Sequence, residues 1–234
     1  MYWDTESGDG YGYGGLIEEV NSTYATWNWQ NVLNFTRTFN SVHNLTATAV
    51  QEYTHSETEY MDGSVYELSD PFFSEHIISN TFGQKDVGGW KSENGLASYM
   101  FRANYNYDSK YYIGASIRYD GLSKLPKDTR WGTFWGASAA WRLSREKFWT
   151  EAPVNEWFND LRLRASYATI GNSALGSDYP YLGTYGAKLV GPMAGIAWNV
   201  MGNNNLKWET TETFDIGLDG ALFNNRMTFE IAYW

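Results

Sequence analysis

Tyr111-Tyr112-Ile113-Gly114-Ala115-Ser116-Ile117-Arg118-Tyr119-Asp120 is the run whose reading decides the fold. Tyr111, Ile113, Ala115, Ile117 and Tyr119 share one side of an extended chain, and Tyr112, Gly114, Ser116, Arg118 and Asp120 share the other. Successive side chains of a strand point to opposite faces, so this is a strand between an apolar and a polar environment. Working outward, the pattern recurs. Trp135, Ala137, Ala139, Trp141 and Leu143 oppose Gly136, Ser138, Ala140 and Arg142. Leu161, Leu163, Ala165 and Tyr167 oppose Arg162, Arg164 and Ser166, and Phe214, Ile216 and Leu218 oppose Asp215, Gly217 and Asp219. The last run sets Met227, Phe229, Ile231 and Tyr233 against Thr228 and Glu230. Less regular strands are predicted over 25–38, 44–60 and 96–106, which makes eight. The segment 144–158 reads as a longer connection with room for one helical turn.

A soluble sandwich and a membrane barrel share this alternation; connections and aromatic placement separate them. Short polar turns (Asn40-Ser41, Tyr107-Asp108-Ser109-Lys110, Asn224-Asn225) alternate with long glycine- and aromatic-rich segments, 62–94, 121–133 and 171–205. Short turns at one end and long loops at the other are the pattern of an outer-membrane barrel. Tyr105, Tyr111, Trp131, Trp135, Phe148, Trp208 and Phe223 gather at strand ends, where interfacial girdles sit. The fold class predicted is all-β: an antiparallel transmembrane β-barrel segment of about eight strands, with short periplasmic turns and long extracellular loops.

Composition agrees. Aromatic residues make up 18% of 234 residues against only 43% hydrophobic, which suits girdles around a polar lumen better than a soluble core. A mean hydropathy of -0.49 is no objection, because lipid-facing and lumen-facing residues cancel in any window. No apolar run approaches the ~18 residues of a membrane helix. There is no cysteine, hence no disulfide framework or thiolate metal site, and a net charge of -10 argues against nucleic acid as a partner. Met1 leads into Tyr2-Trp3-Asp4 with no basic and apolar leader. With long loops outside, strand one descends from an external segment 1–23 and strand eight rises to Trp234, so both ends are expected outside the cell. A self-contained bacterial barrel keeps its termini periplasmic, so the expectation is a slice of a larger barrel.

Two groups of candidate residues follow. Arg118, Asp120, Arg142, Arg162, Arg164, Asp215, Asp219 and Glu230 fall on the polar face, as lumenal contacts for a plug or a polar solute, or as a structural ladder of ion pairs. Tyr66, Phe72, Phe73, Trp90, Tyr179, Tyr181, Tyr185 and Trp198 lie in long external segments, where aromatic faces contact a ligand or partner, or pack on one another. His43, His55 and His76 read as isolated, so no metal site is expected, nor any cofactor. Glu57 with Glu59, or Asp215 with Asp219, lacks any further support for catalysis, and no enzyme activity is expected.

Several stretches taken in order resemble the barrel of SusC/RagA-type TonB-dependent transporters. They are Ser109 to Ser123, Arg130-Trp131-Gly132-Thr133-Phe134-Trp135 through Ala140-Trp141-Arg142-Leu143-Ser144 to Phe148, and Leu161-Arg162-Leu163-Arg164-Ala165-Ser166-Tyr167 leading to Gly171-Asn172. Asn205-Leu206-Lys207-Trp208-Glu209 with Asp215-Ile216-Gly217-Leu218-Asp219, and the Phe223-Asn224-Asn225-Arg226 turn, complete the set; residues before about 109 match more loosely. The resemblance implies import of oligosaccharides or peptides across the outer membrane of Bacteroidetes-type bacteria. It also implies a SusD-like surface lipoprotein as partner, and drive from the TonB complex acting on an N-terminal plug. Signal peptide, TonB-contacting segment and plug are expected outside residues 1–234. A secreted carbohydrate-binding β module and a self-contained eight-stranded barrel with a structural or adhesive role remain as alternatives.

Overall fold

The computed structural model describes residues 2–3, 14–67, 78, 83–190 and 193–234. The strands are β1 (Tyr2–Trp3), β2 (Leu16–Phe39), β3 (His43–Tyr66), β4 (Lys85–Tyr107), β5 (Tyr111–Leu122), β6 (Trp131–Arg142), β7 (Phe158–Asn172), β8 (Thr184–Val190), β9 (Met193–Val200), β10 (Glu209–Leu222) and β11 (Met227–Tyr233). Nine form one antiparallel sheet in the order β1-β2-β3-β4-β5-β6-β7-β10-β11, and β8 pairs with β9 alone. All eight predicted strands are present as β2 to β7, β10 and β11, with the two-residue β1 added at the edge. Among the described residues β11 has no pairing to β2, so the sheet ends at two edges. Among the described residues no helix is long and apolar enough to cross a membrane, which says nothing of strands.

The chain forms two compact units, residues 1–27 with 55–94 and residues 28–54 with 95–234. In the second unit, register is set at the short turns. Asp108 and Ser109 take φ of 51° and 53°, and the Lys110 N–H donates to the Tyr107 carbonyl at 2.9 Å. Asn40 and Ser41 (49° and 62°) close the same way, Val42 N–H to Phe39 O at 3.2 Å. Two successive left-handed residues give the hairpin turn whose twist matches the strands, and Asn and Asp tolerate that backbone best.

From those turns the alternation propagates as rows across the sheet. Tyr107, Tyr111, Trp141, Leu163, Leu218 and Ile231 stand side by side on six strands. Two residues on come Tyr105, Ile113, Ala139, Ala165, Ile216 and Tyr233, then Ala103, Ala115, Ala137, Tyr167 and Phe214. Tyr99 and Tyr119 close the face at the far end, where Tyr119 stacks on Trp131 at 4.7 Å. Stacked rings at the near end (Tyr107 on Tyr111 at 6.2 Å, Tyr111 on Trp141 at 6.5 Å) complete two aromatic margins around an aliphatic band. Tyr111 and Tyr119 are eight residues apart, about 27 Å along a strand, or roughly 20 Å of height at the ~40° tilt of a barrel strand, so the margins fall just inside the roughly 25 Å apolar band of a membrane barrel.

That face is bare: Ile113 is 59% and Ile117 50% exposed. A water-soluble globular chain of this mass exposes about 10,700 Å²; this one exposes 16390 Å². A one-layer sheet with an uncovered apolar side is the surface that lipid, or another protein, has to cover.

The structure corrects several boundaries. β2, β3 and β4 run well into 16–23, 61–66 and 85–95, which the sequence places in external segments or leaves outside the strands. Lys91-Ser92-Glu93-Asn94-Gly95 shows why for β4: beyond the apolar band, polar residues and glycine occupy both faces and no alternation marks the strand. The loop 171–205 contains the β8–β9 hairpin, rich in glycine and short of alternating polarity. The connection 143–157 holds α1 (Lys147–Thr150) between two single 3₁₀ turns, in place of one helical turn.

Two contacts near the strand ends generate tests. The Phe134 ring is buried over Gly171 and Gly132, where added Cβ atoms would lie 2.1 and 2.7 Å from its Cζ, and Trp208 meets it edge-on at 5.2 Å. Gly171→Val is therefore expected to expel the ring and lower unfolding free energy by roughly 1–3 kcal/mol, read by urea titration in detergent micelles. Adding Phe134→Leu should recover part of that loss; an unchanged midpoint in Gly171→Val alone would contradict the seat. On the connection after β6, Glu146 accepts from Tyr111 Oη at 2.6 Å and Trp141 Nε1 at 3.1 Å. Those bonds, the tyrosine's first, hold its carboxyl below the ordinary 4.5. A depressed carboxyl stabilises above its unfolded value and loses that contribution as pH falls through the folded one. The stability difference between pH 7 and pH 3 should shrink in Glu146→Gln, and an identical pH profile would contradict it.

Candidate functional site

The polar face of β5, β6, β7, β10 and β11 carries all eight charged residues singled out from the sequence. Arg142, Arg162, Asp219 and Glu230 form one row across β6, β7, β10 and β11. Arg142 and Arg162 are direct neighbours, a like-charge juxtaposition that the structure resolves by turning them to different carboxylates. Arg142 grips Asp160 with Nε and Nη2, both at 2.7 Å, and Ser144 donates to the same carboxylate at 2.6 Å. Arg162 donates from Nη2 to Asp219 at 2.6 Å.

Arg164 is the hub. Its Nη1 donates to Asp215 at 2.6 Å, its Nε to Asp219 at 3.2 Å, and its Nη2 to Glu230. Gly217 stands opposite Arg164, and an added Cβ there would lie 2.7 Å from the guanidinium carbon, so only glycine lets the side chain cross. Arg118 is paired within its own strand, Nε to both Asp120 oxygens at 2.7 Å, and reaches Ser98 at 3.1 Å. Beside it a hollow of about 450 Å³ is lined by Ser116, Arg118, Asp120, Phe134, Ser173 and Trp208. A second, of about 690 Å³, lies over Arg162, Arg164, Asp219 and Glu230. The face therefore offers fixed guanidinium and carboxylate groups beside hollows. Asp215 and Asp219, the spacing weighed as a catalytic pair, are both bound to Arg164.

Sequence reading missed Asp160, Ser144, Phe134 and Trp208 as members of this face. Asp160 was within reach, since 160, 162 and 164 share one parity; β7 simply begins earlier than its apolar residues suggest.

The loop aromatics divide. Tyr185 and Trp198 face each other across β8–β9 with ring centroids 4.2 Å apart, and both are more than half exposed. Trp90 stacks on Tyr60 at 5.6 Å on the extended part of β4, so it belongs to a strand and not to a loop. Tyr66 likewise ends β3. Tyr179 is exposed and Tyr181 half-buried just before β8. Phe72 and Phe73 lie outside the described residues, as does His76. Around the loops, Lys124 pairs with Asp178 at 3.1 Å, Leu125 is buried, and Trp208 Nε1 donates to the Arg130 carbonyl at 2.8 Å, so the 123–130 connection braces both ends of the segment carrying the hairpin. One reading needs correction: His55 is not isolated, because its ring nitrogen and carboxylate oxygens of Glu57 and Glu93 all lie within 4.8 Å of one another.

The hub makes an ordered prediction. Arg164→Met removes the cation that Asp215, Asp219 and Glu230 share and should lower the urea unfolding midpoint. Arg162→Met takes one of two cations from Asp219 alone, which keeps Arg164, and should cost less. Urea unfolding of both variants in micelles measures the order, and equal losses would contradict the hub.

Comparison with known proteins places this geometry. The family model described as TonB dependent receptor-like, beta-barrel, matches residues 2–234. A TonB-dependent receptor of Formosa agariphila is 31% identical over 215 residues, 92% of this chain and 20% of the relative. TonB-dependent receptor SusC of Bacteroides thetaiotaomicron is 33% identical over 151 residues, 62% of this chain and 15% of the relative. Among solved structures, that of the RagAB peptide transporter superposes with a TM-score of 0.81 at 25% identity, over 93% of this chain and 24% of that one. The chain thus spans a fifth or less of the length of these curated relatives. With two-faced strands, short turns at one end and a match along nearly its whole length, the chain belongs to the TonB-dependent receptor β-barrel family and is similar to its SusC/RagA-type members.

Proposed function

We propose that residues 1–234 are one part of the wall and outer mouth of an outer-membrane nutrient importer. The observation that supports this best is the opposition of faces: an aliphatic band between aromatic margins on one side, fixed charges and hollows on the other. In this reading the apolar face meets lipid. Arg118, Asp120, Arg142, Arg162, Arg164, Asp215, Asp219 and Glu230 face the lumen, where they hold strands in register and contact a plug or a passing polar solute. Plug and TonB-contacting segment belong to other parts of the polypeptide. The solute is an oligosaccharide or a peptide; RagAB, by its description, transports peptides. A SusD-like surface lipoprotein is the expected partner.

The outward contact is assigned to the β8–β9 hairpin. Its Tyr185, Ala187, Leu189, Ala194, Ile196 and Trp198 share one face through cross-strand pairing. Ile196 is 81% exposed. A two-stranded hairpin alone is marginally stable in water, so a partner or solute against this face would also steady it. Tyr66, Trp90, Tyr179 and Tyr181 are secondary candidates, with Phe72 and Phe73 beyond description.

The test is uptake of labelled oligosaccharides and labelled peptides by cells making the full-length polypeptide. Tyr185→Ala with Trp198→Ala should reduce uptake at low solute about fivefold, the loss of roughly 1 kcal/mol of aromatic contact, and much less at saturation. A protonophore should abolish uptake. Uptake indifferent to both would contradict the proposal.

A further inference from the structure

The extended parts of β3 and β4 carry a cluster that import does not use. His55 and Glu57 stand two residues apart on β3, hence on one face, and Glu93 of β4 converges on them. The His55 Nε2 is 4.0 Å from Glu93 Oε2, too far for a hydrogen bond, while donor atoms of all three residues lie within 4.8 Å of one another. The Trp27 ring packs against the imidazole with centroids 5.7 Å apart, which limits its rotation. Two donors on one tetrahedral zinc sit about 3.4 Å apart, so side-chain shifts near 1 Å would close the set.

Charge points the same way. Lys91 donates to Glu57 at 2.7 Å, and Glu57, Glu59 and Glu93 all act on its ammonium. Three carboxylates around one ammonium leave two negative charges, the amount a divalent cation neutralises. An imidazole among the donors favours a borderline ion such as Zn²⁺, Co²⁺ or Ni²⁺ over Mg²⁺ or Ca²⁺, which take oxygen donors.

We propose that His55, Glu57 and Glu93 form a divalent transition-metal site that clips β3 to β4. Lys91 is the resident counter-charge, and the ion displaces it from Glu57. Three protein ligands leave a fourth position for water or an anionic group.

Titrating ZnCl₂ calorimetrically into the full-length polypeptide in detergent, free of any oligohistidine tag, tests this. One Zn²⁺ per chain is expected, with micromolar affinity that excess Mg²⁺ does not displace. His55→Gln and Glu93→Gln should each weaken binding more than tenfold while keeping the heat-dependent gel mobility of a folded barrel. Lys91→Met, which removes the competitor and no ligand, should tighten binding several-fold. Absence of binding, binding equal to wild type in His55→Gln, or unchanged affinity in Lys91→Met would overturn the proposal.

Discussion

A backbone that enters hydrocarbon has no water to bond, so every N–H and C=O there must find its partner in the sheet itself. The remaining features of this chain follow from that demand. Continuous pairing from β2 to β7 and on through β10 to β11 fixes which residues are neighbours, and neighbours fix faces, because side chains alternate with a period of two. A slip of one residue would turn Ile113 and Ile117 toward the charges and Arg118 toward the band. The turns are where that slip is prevented. Left-handed pairs at Asn40-Ser41 and Asp108-Ser109 admit one closure each, and rows such as Tyr107-Tyr111-Trp141-Leu163-Leu218-Ile231 are the outcome.

The same pairing confines charge to one side and then has to manage it. Arg142 beside Arg162 is unfavourable until each finds its own carboxylate, and Asp160 and Asp219 supply them. Arg164 reaches three carboxylates only because Gly217 leaves its lane open. Glycine plays a second part at the strand ends, where Gly132 and Gly171 make the seat that Phe134 fills. Both are packing roles: the missing side chain of one strand is the space used by its neighbour.

How much of this the sequence disclosed depends on where alternation carries information. Across the apolar band, polarity differs between faces, so β5, β6, β7, β10 and β11 and the placement of eight charges were legible from spacing alone. Past the band both faces are polar. There Ser92, Glu93 and Asn94 gave no sign that β4 reached back to Lys85, and Trp90 looked like a loop residue when it lies in β4. His55 and Glu93 are 38 positions apart, and only the β3–β4 pairing brings them together; no local pattern could have shown it. The β8–β9 hairpin escaped notice because its apolar face opposes glycine, alanine and one lysine, so alternation there is faint.

The claim on which this account rests is that one face meets lipid and the other water. Residues 1–234 contain no cysteine, so single cysteines can be placed along β5 of the full-length protein in lipid vesicles, once any cysteine elsewhere in it has been replaced by serine. Ile113→Cys, Ala115→Cys and Ile117→Cys should be shielded from a charged thiol reagent and, once spin-labelled, reached by oxygen dissolved in the bilayer. Gly114→Cys, Ser116→Cys and Arg118→Cys should show the reverse, giving a period of two along the strand. Equal access of the aqueous reagent to both sets would contradict the account.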